Sequence, residues 1–163
     1  MAYGSDIGFQ TWLDSHGYAL PEGAPSLAVL RTRGSAYLDG TYEGIWTGHR
    51  TDGAAQADAW PRTGARIACT RAVPSDLVPV SVEYASYRAA LLEGMNPGIL
   101  AVSATSGQRV AREKVDVIEV AYHNDGGASA GSGSVAFIDG EIDGAMRVFV
   151  CGNAGGVFLR AVG

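Results

Sequence analysis

Residues 43–76, "EGIWTGHRTDGAAQADAWPRTGARIACTRAVPSD", run without a hydrophobic period between two strongly periodic segments, and this stretch limits what the chain can become. A loop of that length inside a folded domain is uncommon unless it has a function or is braced by its surroundings. It carries Trp46 and the triplet Trp60-Pro61-Arg62. Pro61 has no N–H and restricts Trp60 to extended backbone, so the segment cannot join a helix or a central strand. Each indole can bury a large ring, and the expectation is that Trp46 and Trp60 pin the two ends of the loop to the two long helices that flank it. Glycines at 44, 48, 53 and 64 supply the turns. Such a loop is either a plug that anchors to its own core or a contact prepared for another chain.

The flanking segments read as helices. Ser5 is placed to cap a short amphipathic helix with Phe9, Trp12 and Leu13 at helical spacing and Gly17 as its stop. Pro25 sits where a first-turn proline is tolerated, and Leu27, Leu30, Gly34, Tyr37, Leu38 and Tyr42 follow at steps of three and four. Gly34 in the middle of that long helix predicts close packing by another backbone. A short helix is predicted over 53–59. Ser75 or Asp76 then caps a second long helix with Pro79 in its first turn and Val80, Tyr84, Tyr87, Leu91 and Met95 on its buried face. "ILAVS" and "KVDVIEVAYH" predict strands. Residues 125–134 are a glycine/serine linker by composition, and Ile138, Ile142, Ala145, Met146 and Phe149 recur at helical steps before a loose tail. The expected fold is mainly α: a small helical bundle of two long helices plus shorter ones, a small β-sheet or hairpin and the long irregular loop. Its organisation is read as a helical core over 1–124, a linker over 125–134, and a C-terminal helix and tail over 135–163.

Charge weighs against nucleic acid as a tight ligand. Twelve basic residues face 17 acidic ones, and the single lysine, Lys114, stands among arginines scattered from Arg31 to Arg160. Affinity for DNA rests largely on phosphate neutralisation, so a dispersed and outnumbered set of cations predicts weak binding. Arginine forks suit bidentate protein contacts better. With 47% hydrophobic residues and no apolar run long enough to span a bilayer, the chain reads as globular, made and folded in a cytoplasm, without a membrane partner.

Motifs for chemistry fail on spacing. "GSGSVA" over 131–136 matches a dinucleotide fingerprint formally, but no acidic residue lies about twenty positions on and no second strand completes a crossover. "DGEIDG" over 139–144 begins like a calcium loop, yet Val150 stands where a bidentate glutamate is required. His16, His49 and His123 lie in three different segments without the spacing of a metal pair. Cys69 and Cys151 show no CxxC pattern and read as two quiet core cysteines rather than a disulfide or a metal pair. No catalytic residue, cofactor or metal is expected.

Three blocks together carry a resemblance: "YLDGTYEGIWTGHRTD" over 37–52, "QADAWPRTGA" over 56–65 and "VPSDLVPVSVEYASYRAALLEG" over 73–94. This arrangement resembles the head-to-tail connector, or adaptor, proteins of tailed bacteriophages, and related sequences are also labelled DnaT-like single-stranded-DNA-binding proteins. The resemblance covers about residues 25–122, and the positions that match are Trp46, Gly48, Arg50, Gln56, Trp60, Pro61 and Arg62. It implies a non-enzymatic virion protein of the head-tail neck, typically a ring of twelve copies, with the portal protein on one side and the next connector or tail protein on the other. Double-stranded DNA would pass the lumen without sequence-specific binding. Trp46, Arg50, Gln56, Trp60, Pro61 and Arg62 are then subunit-interface or loop-anchor residues, with Arg50 and Arg62 facing acids such as Asp39 or Glu43 of a neighbouring copy. Met146, Phe149, Phe158, Leu159 and Arg160 are candidates for portal contact. The alternative label implies bases stacked on Trp12, Tyr18, Trp46 and Trp60.

Overall fold

Ser5 opens the first helix by accepting a hydrogen bond from the Gly8 N–H at 2.9 Å, and Gly17 closes it in the left-handed conformation at φ 69°. A serine cap and a glycine stop satisfy end groups that a helix cannot pair internally. Helix α1 spans Asp6–His16 and buries Phe9, Trp12 and Leu13, the residues its spacing singled out. The structure is a computed structural model that describes residues 2–101 and 139–151, together with the backbone pairing of 114–115 and 118–119. The long helices are α2, Leu27–Tyr42, and α3, Val80–Met95; a short one, α4, spans Gly140–Arg147. Two small antiparallel hairpins lie in the loop: β1, His49–Arg50, pairs with β2, Arg62–Thr63, and β3, Arg66–Ile67, pairs with β4, Arg71–Ala72. The fold is mainly α with a small β component, as the periodicities predict.

Helices α2 and α3 meet through small residues. A Cβ at Gly34 would lie 2.3 Å from the Ser86 carbonyl oxygen and 2.9 Å from the Ala90 nitrogen, so only glycine fits there. Ala85, Ser86, Ala89 and Ala90 of α3 are buried, and Phe9 stacks on Tyr87 with ring centroids 5.2 Å apart. This close approach corrects the expected face of α3. Tyr87 and Leu91 are buried, but Val80, Tyr84 and Met95 are each about half exposed. The small-residue ridge, not the ridge of largest side chains, faces the core, because it brings two backbones into van der Waals contact.

Gly34→Ala should therefore lower stability by about 1–2 kcal/mol, the cost of overpacking less the gain in helix propensity. Gly40→Ala on the same helix, where an added Cβ meets nothing within 4 Å, should raise stability by up to about 1 kcal/mol. Urea titration of both variants checks the opposite signs.

Other boundaries differ from expectation. Helix α2 begins at Leu27 with Ser26 as its cap, so Pro25 lies outside the helix rather than in its first turn. Neither Ser75 nor Asp76 caps α3; Pro79 precedes the helix without a side-chain cap, and its fixed φ of -62° sets the start. The predicted helix over 53–59 is a single 3-10 turn, Gly53–Ala55. Gln56 beyond it is extended, at φ -85° and ψ 126°, and Arg50 Nη1 donates to the carbonyls of Gln56 and Ala57, at 2.6 and 3.3 Å. Residues 99–101 of the predicted "ILAVS" strand form another 3-10 turn. The buried Glu93 carboxylate accepts the Gly98 and Leu100 N–H groups at 3.0 and 3.4 Å, and this curls the chain back.

Asp139 caps α4 by accepting from the Glu141 and Ile142 N–H groups. Arg88 of α3 holds Asp139 and Glu141 at 3.3 and 3.1 Å, and Ile142, Met146 and Phe149 are buried. Residues 1–100 and 138–163 form one contact unit and residues 101–137 a second. Within the second, β5, Lys114–Val115, pairs antiparallel with β6, Ile118–Glu119; the other residues of the predicted "KVDVIEVAYH" strand lie outside the described residues. The 125–134 linker and the tail after Cys151 lie outside the described residues.

Candidate functional site

Four rings run through the loop in series. Tyr42, at the end of α2, stacks on Trp46 at 6.2 Å; Trp46 meets Trp60 edge-on at 5.7 Å; Trp60 meets Phe149, just beyond α4, edge-on at 5.1 Å. All four are buried, Trp60 to 2% exposure and Phe149 completely. The Tyr42 hydroxyl and both indole N–H groups have no hydrogen-bond partner among the described residues, so ring packing, not hydrogen bonding, fixes their orientation. The loop is thus pinned to α2 and to the end of α4, not to α2 and α3 as the sequence implied. The Trp60–Pro61 peptide is cis.

Polar clamps surround this ladder. The Arg62 guanidinium, 4% exposed, donates to the carbonyls of Thr47, Gly48 and Ala59 at 3.0, 2.7 and 3.3 Å and lies 5.9 Å from the Trp46 ring centre. Desolvation pulls its pKa down, opposed by Glu43 at 3.8 Å. Arg50 grips Glu43 with a two-pronged contact, Nε to Oε1 at 2.6 Å and Nη2 to Oε2 at 2.8 Å. Gln56 Nε2 donates to the Asp58 and Pro61 carbonyls at 2.8 and 2.9 Å, while its Oε1 accepts the Asp52 N–H. Gly48, at φ 73°, has no room for a Cβ, which would sit 2.4 Å from the Thr63 oxygen. The acids expected to meet Arg50 and Arg62 from a neighbouring copy are met within this chain: Glu43 takes both arginines, and Asp39 takes other donors.

Those donors come from the chain's N-terminal end and from the loop. Tyr3 is buried; its hydroxyl donates to Asp39 Oδ1 and accepts the Trp60 N–H at 3.1 Å, while Asp39 Oδ2 accepts the Ala59 N–H at 2.9 Å. Burial, then the Asp39 contact, pushes the Tyr3 hydroxyl far above its ordinary pKa, and burial raises Asp39 as well. Ser35 accepts the Tyr3 N–H at 2.9 Å, and Arg31 Nη1 donates to the Tyr3 and Gly4 carbonyls. Sequence reasoning missed this part of the site. The signal was present: Arg31, Ser35, Asp39 and Glu43 recur every four residues and so line one stripe of α2. Arg31, Ser35 and Asp39 hold the N-terminal segment, and Asp39 and Glu43 hold the loop.

Glu43 gives the clamp a pH dependence. The Arg50 hydrogen bonds hold its carboxyl below the ordinary glutamate value of 4.5. The folded state thus binds this proton less readily than the unfolded state. The contribution is complete above about pH 4.5 and is lost as pH falls through the folded value. Asp39 is shifted the other way, so the wild-type acid limb mixes both; comparison with Glu43→Gln isolates the first. The wild type should exceed the variant by about 1 kcal/mol at neutral pH, with the gap closing below pH 4.5. A gap independent of pH would rule out the clamp.

Met146 and Phe149, candidates for portal contact, are fully buried in their own chain and as placed offer no surface to a partner. Phe158, Leu159 and Arg160 lie outside the described residues. Trp12, Trp46 and Trp60 are also buried, which removes them as base-stacking platforms; among the described residues the exposed tyrosines are Tyr18 and Tyr84. Six arginines, 31, 33, 50, 62, 88 and 147, lie within ion-pair distance of a carboxylate. Arg66 and Arg71, both exposed, have no such partner among the described residues. Cys69 is exposed and Cys151 half-buried, so the expected core placement is wrong for both. Among the described residues no group of three or more potential ligands could hold a metal ion, and no helix is long and apolar enough to cross a membrane.

Together these elements define a mainly helical protein whose most elaborated feature is a loop braced from within. A family model described as "Putative DnaT-like ssDNA binding protein" matches residues 2–162, and the chain belongs to that family. No curated protein and no solved structure matches the chain. The family description coincides with the second label that the sequence blocks carry, not with the virion role.

Proposed function

We propose that this protein works by assembly: copies close head to tail into a ring in the neck of a tailed-phage virion, and double-stranded DNA passes through the lumen. One observation carries this reading. The residues on which the motif blocks centre, Trp46, Arg50, Gln56, Trp60 and Arg62, are all engaged within the chain, stiffening residues 43–76. A stiff, non-periodic surface element suits a repeated interface, since closure of a ring requires every copy to present the same shape. The balance of 17 acidic against 12 basic residues favours a lumen that does not grip the duplex.

A second reading, binding of single-stranded DNA, is what the family description favours, and the description backs it more directly than it backs the virion role. Against it stand the three buried tryptophans and the pairing of six arginines with acids, since a single-strand binder combines stacking rings with a cationic groove. Its best remaining footing is Tyr18, Tyr84, Arg66 and Arg71. Electron microscopy of the purified full chain, alone and mixed with portal protein, together with titration by a thymidine oligonucleotide at moderate salt, separates the two. Rings, free or on the portal, without saturable oligonucleotide binding are the expected result. Saturable binding without rings would overturn the proposal in favour of the second reading.

A further inference from the structure

Cys69 and the carbonyl of Val150, 81 residues apart in sequence, approach to 3.8 Å between Sγ and O. Two features bring them together. The turn between β3 and β4 holds Ala68 and Cys69 at φ 48° and 64°, a left-handed conformation that is costly for residues other than glycine. The Ala68 N–H donates to the Val148 carbonyl at 2.7 Å, and the Thr47 N–H donates to the Phe149 carbonyl. The strained turn thereby aims the Cys69 thiol at the segment leaving α4, where Cys151 follows Val150.

We propose that Cys69 and Cys151 are a disulfide-forming pair, oxidised by a low-molecular-weight disulfide such as glutathione disulfide into a bond that staples the end of α4 to the β3–β4 turn. Cys69, the exposed thiol, attacks as thiolate; one glutathione leaves, and a mixed disulfide forms. Cys151 attacks the Cys69 sulfur of that mixed disulfide and releases the second glutathione. The two protein thiols lose two electrons, glutathione disulfide gains them, and the two protons end on the released thiols. Cys69 is also the largest of the causes that raise the Cys151 pKa, ahead of burial, while Arg66 favours its thiolate. The bond would close a long loop and lock the segment that carries Phe149 into the ring ladder. It requires neither functional reading of the protein.

The test uses the full chain, reduced and then incubated with glutathione disulfide. Expected are loss of both titratable thiols in the monomer, a mass lower by two hydrogens, a 69–151 link in the peptide map, and a melting temperature higher by roughly 10 °C than that of the reduced protein, as closing so long a loop implies. Cys69→Ser and Cys151→Ser should melt like the reduced wild type and show no increase on oxidation beyond that of a mixed disulfide. Thiols that persist, a bond that forms only between copies, or an oxidised monomer that melts no higher than the reduced one would each overturn the proposal.

Discussion

Trp60→Ala is expected to destabilise the fold by about 3–5 kcal/mol, the range for deleting a large buried ring. Its indole lies between Trp46 and Phe149, both edge-on, and is almost wholly shielded from solvent. Deletion therefore empties the middle of the ladder and frees both ends. Against the 5–15 kcal/mol by which domains are ordinarily stable, that is a large fraction, and the melting temperature should fall by roughly 10 °C. Because the ladder joins the loop to the end of α4, the variant should also expose Phe149, which a proteolysis time course would register as early cleavage after 139. A loss below about 1 kcal/mol would show that the ring is not part of the core.

The second large effect belongs to Arg62. Its guanidinium supplies donors to three backbone carbonyls in a site with little water. Arg62→Ala leaves those acceptors without their donor at about 1–3 kcal/mol each when buried, so a total of at least about 3 kcal/mol is expected. Arg62→Lys should recover less than half, because an ammonium on a flexible stem cannot reproduce the planar fork. Arg71→Ala, at an exposed position, should stay within about 0.5 kcal/mol of wild type. Chemical denaturation of the three variants decides the matter; equal losses at 62 and 71, or full rescue by lysine, would mean that the carbonyl contacts carry no weight.

The helices were legible because their signals are local. Ser5 and Gly17 mark the ends of α1, and the spacing from Leu27 to Tyr42 marks α2, without reference to anything distant. The buried face of α3 is only partly legible, because the spacing of the largest side chains points to Val80, Tyr84 and Met95, which are about half exposed. What decides that face is the glycine at position 34 of another helix, which admits Ala85, Ser86, Ala89 and Ala90. Gly34 did predict close packing, but the sequence does not say against which backbone. The loop residues were recognisable by type, since tryptophan, proline and arginine in an aperiodic stretch need partners. Their partners were not, because Phe149 and Tyr3 lie far along the chain from Trp60, and no spacing rule links them. Tyr3 in particular lies outside any periodic element, and only the four-residue stripe on α2 hints that something must cover it.

Amide hydrogen exchange across residues 43–76 of the full chain tests the self-braced loop most directly. The N–H groups of Ala59, Trp60, Arg66 and Val73 each donate within this chain, to Asp39, Tyr3, Thr47 and Ala65. The expected result is exchange slowed by at least about a hundredfold relative to an unstructured peptide, at concentrations where no ring forms. Exchange at the unstructured rate in the free chain would contradict it, and would mean that whatever order this loop acquires comes from another molecule.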